Sequence, residues 1–130
     1  MLCKQGEVQE GLELCRQAVH LDPENAKACN MLGMTLCGQG KMEEGMDLFR
    51  QVVASHPDNA EAHYNLGLAL AKQGKLDLTA EELRKAIAAN PRFTPPYKPL
   101  WELLVKSGRM DEAAELKSQA EKYMPPGASP

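Results

Sequence analysis

Apolar positions along this chain fall at helical spacing in short runs, each closed by a glycine or a proline. Residues 26–59, AKACNMLGMTLCGQGKMEEGMDLFRQVVASHPDN, set the pattern. Cys29, Leu32, Gly33 and Leu36 share one helix face. Gly38, Gln39 and Gly40 end that helix. Met42, Gly45, Met46, Phe49, Val52 and Val53 mark a second helix. Pro57 stops it, because proline cannot continue a helix and disfavours the α conformation at His56. Asp58 and Asn59 then offer side-chain acceptors to begin the next helix. The unit is a helix hairpin.

The hairpin recurs. Pro23, Pro57, Pro91 and Pro125 stand 34 residues apart, as do Gly6, Gly40, Gly74 and Gly108, and Leu2, Leu36, Leu70 and Leu104. Three columns in one register mark a repeat architecture, in which each unit buries its apolar face against its neighbours. Gly33 and Gly45 lie where the two helices of a hairpin cross, and Gly67 and Thr79 repeat that pair. Small residues are needed there, because helix axes approach to roughly 8–10 Å.

The segment AEAHYNLGLALAKQGKLDLTAEELRKAIAANP, residues 60–91, resembles a tetratricopeptide repeat through Leu66-Gly67, Leu70, Gly74, Leu83, Ala86 and Pro91. The aromatic near the start of each unit is replaced by Cys29 and His63 and met by Tyr97; the alanine of the second helix is met only by Ala113. The resemblance implies an all-α fold, a right-handed α-solenoid of antiparallel hairpins with about seven helices. The array is expected over 1–125, as a partial repeat 1–25, repeats 26–59 and 60–93, and a C-terminal capping repeat 94–125, with a disordered tail 126–130.

It also implies an interaction scaffold whose concave groove takes an extended peptide or helix of another protein. By register the groove displays Lys27, Asn30, Met31 and Met34, then Tyr64, Asn65, Leu68 and Lys72, then Lys98 and Glu102. Asn65 stands out, since a side-chain amide donates to and accepts from a peptide backbone regardless of sequence. The clamp by which some family members hold acidic chaperone tails does not transfer: Asn65 matches it, whereas Asn30, Met34, Pro95 and Pro99 carry none of the charge it needs. The Met31–Met34 strip suits a more hydrophobic peptide.

The register breaks at informative places. Residues 1–5 read as the last turn of a first helix and residues 7–21 as the second helix of that hairpin. Val8, Leu12, Cys15 and Val19 would then face a missing mate, so the array is expected to continue N-terminally in a parent protein or to self-associate there. This gives two alternatives to peptide binding, a structural oligomerisation unit and a regulatory fragment of a larger multidomain protein. At the other end Lys117 and Glu121 solvate columns that are apolar elsewhere, over an inner face of Met110, Ala113, Ala114 and Ala120. Pro95, Pro96 and Pro99 crowd the start of one helix, with Pro99 expected to delay it by a turn. Trp101 occupies a glycine column, so either its helix is expected to tilt or Trp101 to turn outward, where it would serve as an exposed anchor.

Composition narrows the function. A net charge of −3 with mixed signs and no basic run argues against nucleic acid. No apolar stretch nears the roughly 18 residues of a membrane span. Cys3, Cys15, Cys29 and Cys37 lack CxxC or metal spacing, and are expected as reduced thiols of a cytoplasmic protein. Equivalent sites such as Cys3 and Cys37 are a helix spacing apart, beyond the roughly 7 Å reach of a disulfide. No four-ligand metal set, nucleophile with an oriented base or phosphate loop is visible, and GQGK at 38–41 is the inter-helix turn. The reading is a non-enzymatic module with no cofactor and no metal.

Overall fold

The computed structural model describes residues 2–123, with side chains from residue 9 onward. Its elements are α1 (Leu2–Leu21), α2 (Ala26–Gly38), α3 (Met42–Ser55), α4 (Ala60–Lys72), α5 (Leu76–Ala89), α6 (Tyr97–Lys106) and α7 (Met110–Tyr123). The described residues contain no strand. They divide into two compact units, one ending at Pro57 and holding α1–α3, the other beginning at Asp58 and holding α4–α7.

The glycine and leucine columns have one cause. Gly40, Gly74 and Gly108 adopt φ of +85°, +76° and +77°, which favours a residue without a β-carbon. Around each, two hydrogen bonds close the helix end. Gly40 N–H donates to Cys37 O at 3.1 Å and Lys41 N–H to Leu36 O at 2.8 Å. Gly74 N–H to Ala71 O with Lys75 N–H to Leu70 O, and Gly108 N–H to Val105 O with Arg109 N–H to Leu104 O, repeat the pair. These are Schellman caps. The leucine thus supplies a carbonyl to the cap while its side chain is buried.

Helix starts follow the asparagines. Asn25 and Asn59 accept from Ala28 N–H and Ala62 N–H at 3.0 and 2.8 Å, capping α2 and α4. Phe93 stands in that column before α6, which instead starts at Tyr97 after Pro96. The expected delay is there, three residues relative to the 34-residue beat, but its seat is Pro96 and not Pro99. Pro99 lies inside the first turn, where its missing N–H costs nothing.

In the first unit Leu12, Leu32 and Leu36 form a buried cluster, with Cys15, Val19 and Leu48 against it. The α2–α3 crossing is tight: a β-carbon on Gly45 would lie 2.6 Å from Gly33 O, and one on Gly33 would lie 2.5 Å from the Phe49 ring. In the second unit Ala80, Leu83, Ile87, Tyr97, Leu100, Leu104, Ala113, Leu116 and Ala120 make the core.

Several expectations need correction. The break at Gly6 is absent, and α1 runs unbroken from Leu2 to Leu21. Carrying glycine within a helix costs only about 1 kcal/mol, so Gly6 alone does not force a break. Trp101 is half-buried against the second unit's core and does not turn out as an exposed anchor. On α7, Leu116 joins Ala113 and Ala120 inside, while Met110 and Ala114 are exposed. Pro125 and the expected disordered tail 126–130 lie outside the described residues.

Candidate functional site

The second unit carries the stronger candidate face, on α4. Tyr64, half-buried, meets Phe93 edge-on at 5.8 Å between ring centroids and 82° between planes. That contact fixes the ring and leaves part of it open. Asn65 follows, only 7% exposed, and its Nδ2 is buried without a hydrogen-bond partner among the described residues. Leu68, half-buried, and Lys72, exposed, continue along α4. On α6 of the same unit Lys98 and Glu102 are exposed and Val105 is half-buried.

A buried amide without a partner costs roughly 1–3 kcal/mol. Asn65 therefore has a reason to rotate toward an incoming carbonyl. Behind it α4 is held to α5. A β-carbon on Gly67 would sit 3.2 Å from the Leu83 side chain, and His63 Nδ1 lies 3.5 Å from Glu82 Oε1 with both side chains nearly buried. Lys85 Nζ reaches the other Glu82 oxygen at 3.7 Å. These contacts pack α4 against α5 behind the face.

In the first unit the face on α2 divides. Lys27, Met31 and Met34 are exposed, the two methionines by about half. Asn30 is 1% exposed and offers no surface to a ligand, contrary to its expected place in the groove. It falls in the column of Tyr64 and Lys98, but α2 turns it inward.

The expected oligomer face also changes. Leu12 is buried, and Cys15 and Val19 pack with it onto Leu32 and Leu36 of α2. Val8 has no described side chain. Second helices of these hairpins have two working faces, one toward their own mate and one toward the following hairpin. Leu12 and Val19 belong to the latter, so they are already covered. Among the described residues of α1, the large apolar side chains left open are Leu14 and Leu21, 66% and 84% exposed. Helical spacing alone does not separate two faces that are both apolar.

One arrangement had no sequence signal. Cys29 Sγ–H donates to Pro23 O at 3.4 Å, and the Tyr97 hydroxyl donates to Pro91 O at 2.7 Å. The two positions are equivalent in the repeat, and each ties the start of a first helix to the proline before it. Burial, aided by Asp22, pushes the Cys29 thiol above its usual range, which keeps it protonated and unreactive at neutral pH. Among the described residues no three His, Cys, Asp or Glu side chains converge as a metal site, and no helix is long and apolar enough to cross a membrane.

Comparison with known proteins agrees with this geometry. The family profile described as tetratricopeptide repeat matches residues 30–92. A crystal structure of MamA shares the fold with a TM-score of 0.76 at 23% identity, over 94% of this chain and 71% of that one. MamA from Desulfovibrio magneticus RS-1 gives 0.73 at 24% identity, over 94% of this chain and 69% of the other. A second MamA crystal structure gives 0.74 at 25% identity, over 93% of this chain and 66% of the other. No curated protein sequence matches the chain. The fold class is the all-α helix-hairpin solenoid of these structures, a class that serves in general as a scaffold for protein interaction. Residues 30–92 match the tetratricopeptide repeat profile, and the fold shared with the MamA structures extends along nearly the whole chain.

Proposed function

We infer that the chain binds an extended segment of another protein along the α4 face of its second unit, through Tyr64, Asn65, Leu68 and Lys72, with Lys98 and Glu102 of α6 selecting among ligands. The single observation that carries this is Asn65, a nearly buried amide whose nitrogen lacks a hydrogen-bond partner among the described residues. A peptide carbonyl supplies the missing acceptor, and the amide oxygen can accept a peptide N–H in return. Tyr64 adds apolar area at low entropic cost. Lys72, Lys98 and Glu102 have both signs of charge, which sets the charge pattern of the ligand rather than demanding an acidic one. Met31 and Met34 on α2 offer adaptable apolar contacts for ligands that reach them.

The test is selection of phage-displayed peptides on the intact chain, followed by titration of the selected peptides against variants. Asn65→Ala is expected to weaken binding about tenfold, equivalent to about 1.4 kcal/mol, without lowering the melting midpoint, because no internal hydrogen bond is lost from Nδ2. Peptides that bind Asn65→Ala and Tyr64→Ala as tightly as the parent would refute the reading.

A further inference from the structure

We propose that the α4 face selects a protein segment in which a large apolar side chain and a carboxylate stand about four residues apart. The apolar side chain sits at Tyr64 and Phe93, and the carboxylate between Lys72 and Lys106. This ligand class rests on the α4 face being the peptide-binding face. Both α4 and α6 belong to the second unit and lie well within the described residues.

Chemistry is unevenly distributed along this short surface. At the start of α4 it is aromatic and its charges balance. Tyr64 and Phe93 meet edge-on, both half-buried, and Tyr64 packs against the core that Tyr97, Leu100 and Leu104 of α6 complete. An edge-on pair sets the face of one ring beside the edge of the other, a corner that fits a leucine, proline or aromatic side chain. Glu61 and Lys98, both exposed, bring one charge of each sign to this end. Half-buried Leu68 continues the apolar surface one turn on.

Toward the ends of the two helices the balance changes. Lys72 and Lys106 are exposed and stand 34 residues apart, in equivalent register. Neither makes an ion pair among the described residues. Equivalent positions on neighbouring helices lie roughly 8–10 Å apart, so one carboxylate is within reach of both flexible ammonium groups. Glu102, one turn before Lys106, offsets one of the lysines of α6 and leaves this end net positive. Lys75 and Arg109 in the adjoining turns have Asp77, Asp111 and Glu112 close by in sequence, and Arg109 Nε lies 3.8 Å from Glu112 Oε2.

The spacing follows from the helix. Tyr64 and Lys72 are eight residues apart. That is about 12 Å along the axis at about 1.5 Å per residue. An extended segment advances about 3.3 Å per residue and covers the distance in about four. Exposed charge pairs add little affinity each and are screened by salt, so the lysines choose among ligands that Tyr64 and Asn65 hold.

The test pans a random twelve-residue phage library on the intact chain and on a Lys72→Glu, Lys106→Glu double variant. Peptides selected by the parent should carry Asp or Glu three to five residues from a large apolar residue. Those selected by the double variant should carry Lys or Arg there, with the apolar residue kept. In one selected peptide, replacing the acid by lysine should weaken binding to the parent about tenfold and restore it on the double variant. Because glutamate in a last helical turn opposes the helix dipole, a Lys72→Gln, Lys106→Gln pair serves as second variant. It should lose the acidic preference and gain no basic one. Parent-selected peptides without an acidic preference, or the same preference in either double variant, would overturn this ligand class. If binding still falls in Asn65→Ala, the α4 face survives that result. Binding indifferent to Asn65→Ala and Tyr64→Ala, or no peptide selected above background, would overturn both.

Discussion

Tyr97 shows how much one side chain contributes here. Its hydroxyl donates to Pro91 O at 2.7 Å and its ring is fully buried at the start of α6. Tyr97→Phe should lower stability by about 1 kcal/mol, the usual net worth of such a bond, seen as a lower urea midpoint at unchanged slope. Burial first, and the charge of Tyr123 second, raise the Tyr97 hydroxyl above its ordinary 10.0. The unfolded chain then releases this proton at lower pH than the folded chain does. Stability therefore falls as pH rises above about 10, and Tyr97→Phe should flatten that decline. The sequence placed Tyr97 in the family's aromatic column but not its bond to Pro91. A periodic column locates a side chain and does not say which carbonyl its polar atom finds. Asn30 failed for a related reason, because the register that exposes Tyr64 and Lys98 turns the shorter Asn30 into the unit.

At the scale of the helix, glycine has two meanings in one column. Gly45→Ala puts a β-carbon 2.6 Å from the Gly33 carbonyl, a backbone atom that cannot move aside cheaply. The variant should lose about 1–3 kcal/mol to overpacking. Gly11→Ala meets nothing and should gain up to about 1 kcal/mol from helix propensity. Thermal melts of the two variants should shift in opposite directions, and a shift of the same sign would contradict the crossing geometry. The hairpins, their turns and their caps were legible because Schellman glycines, capping asparagines and prolines leave fixed marks in sequence. Trp101 was less so. Its column demanded a small residue, and only the structure shows the indole half-buried against the second unit's core.

For the molecule as a whole, the proposed function puts binding on helix faces, which a repeat of helix hairpins builds. The chain spans roughly two thirds of the MamA structures it matches, and that likeness is one of fold. The proposed α4 face takes Tyr64, Asn65, Leu68 and Lys72 from family register. The missing partner of Asn65 Nδ2 was not, since it depends on what the surrounding atoms fail to offer. The α1 face was misplaced by one side of the helix, because both sides of α1 carry apolar residues. The most direct test of peptide capture is hydrogen–deuterium exchange of the intact chain with and without a selected peptide. Added protection is predicted over residues 60–72 and 97–106, with loss of that protection in Asn65→Ala. Protection confined to α5 and α7 would contradict the account.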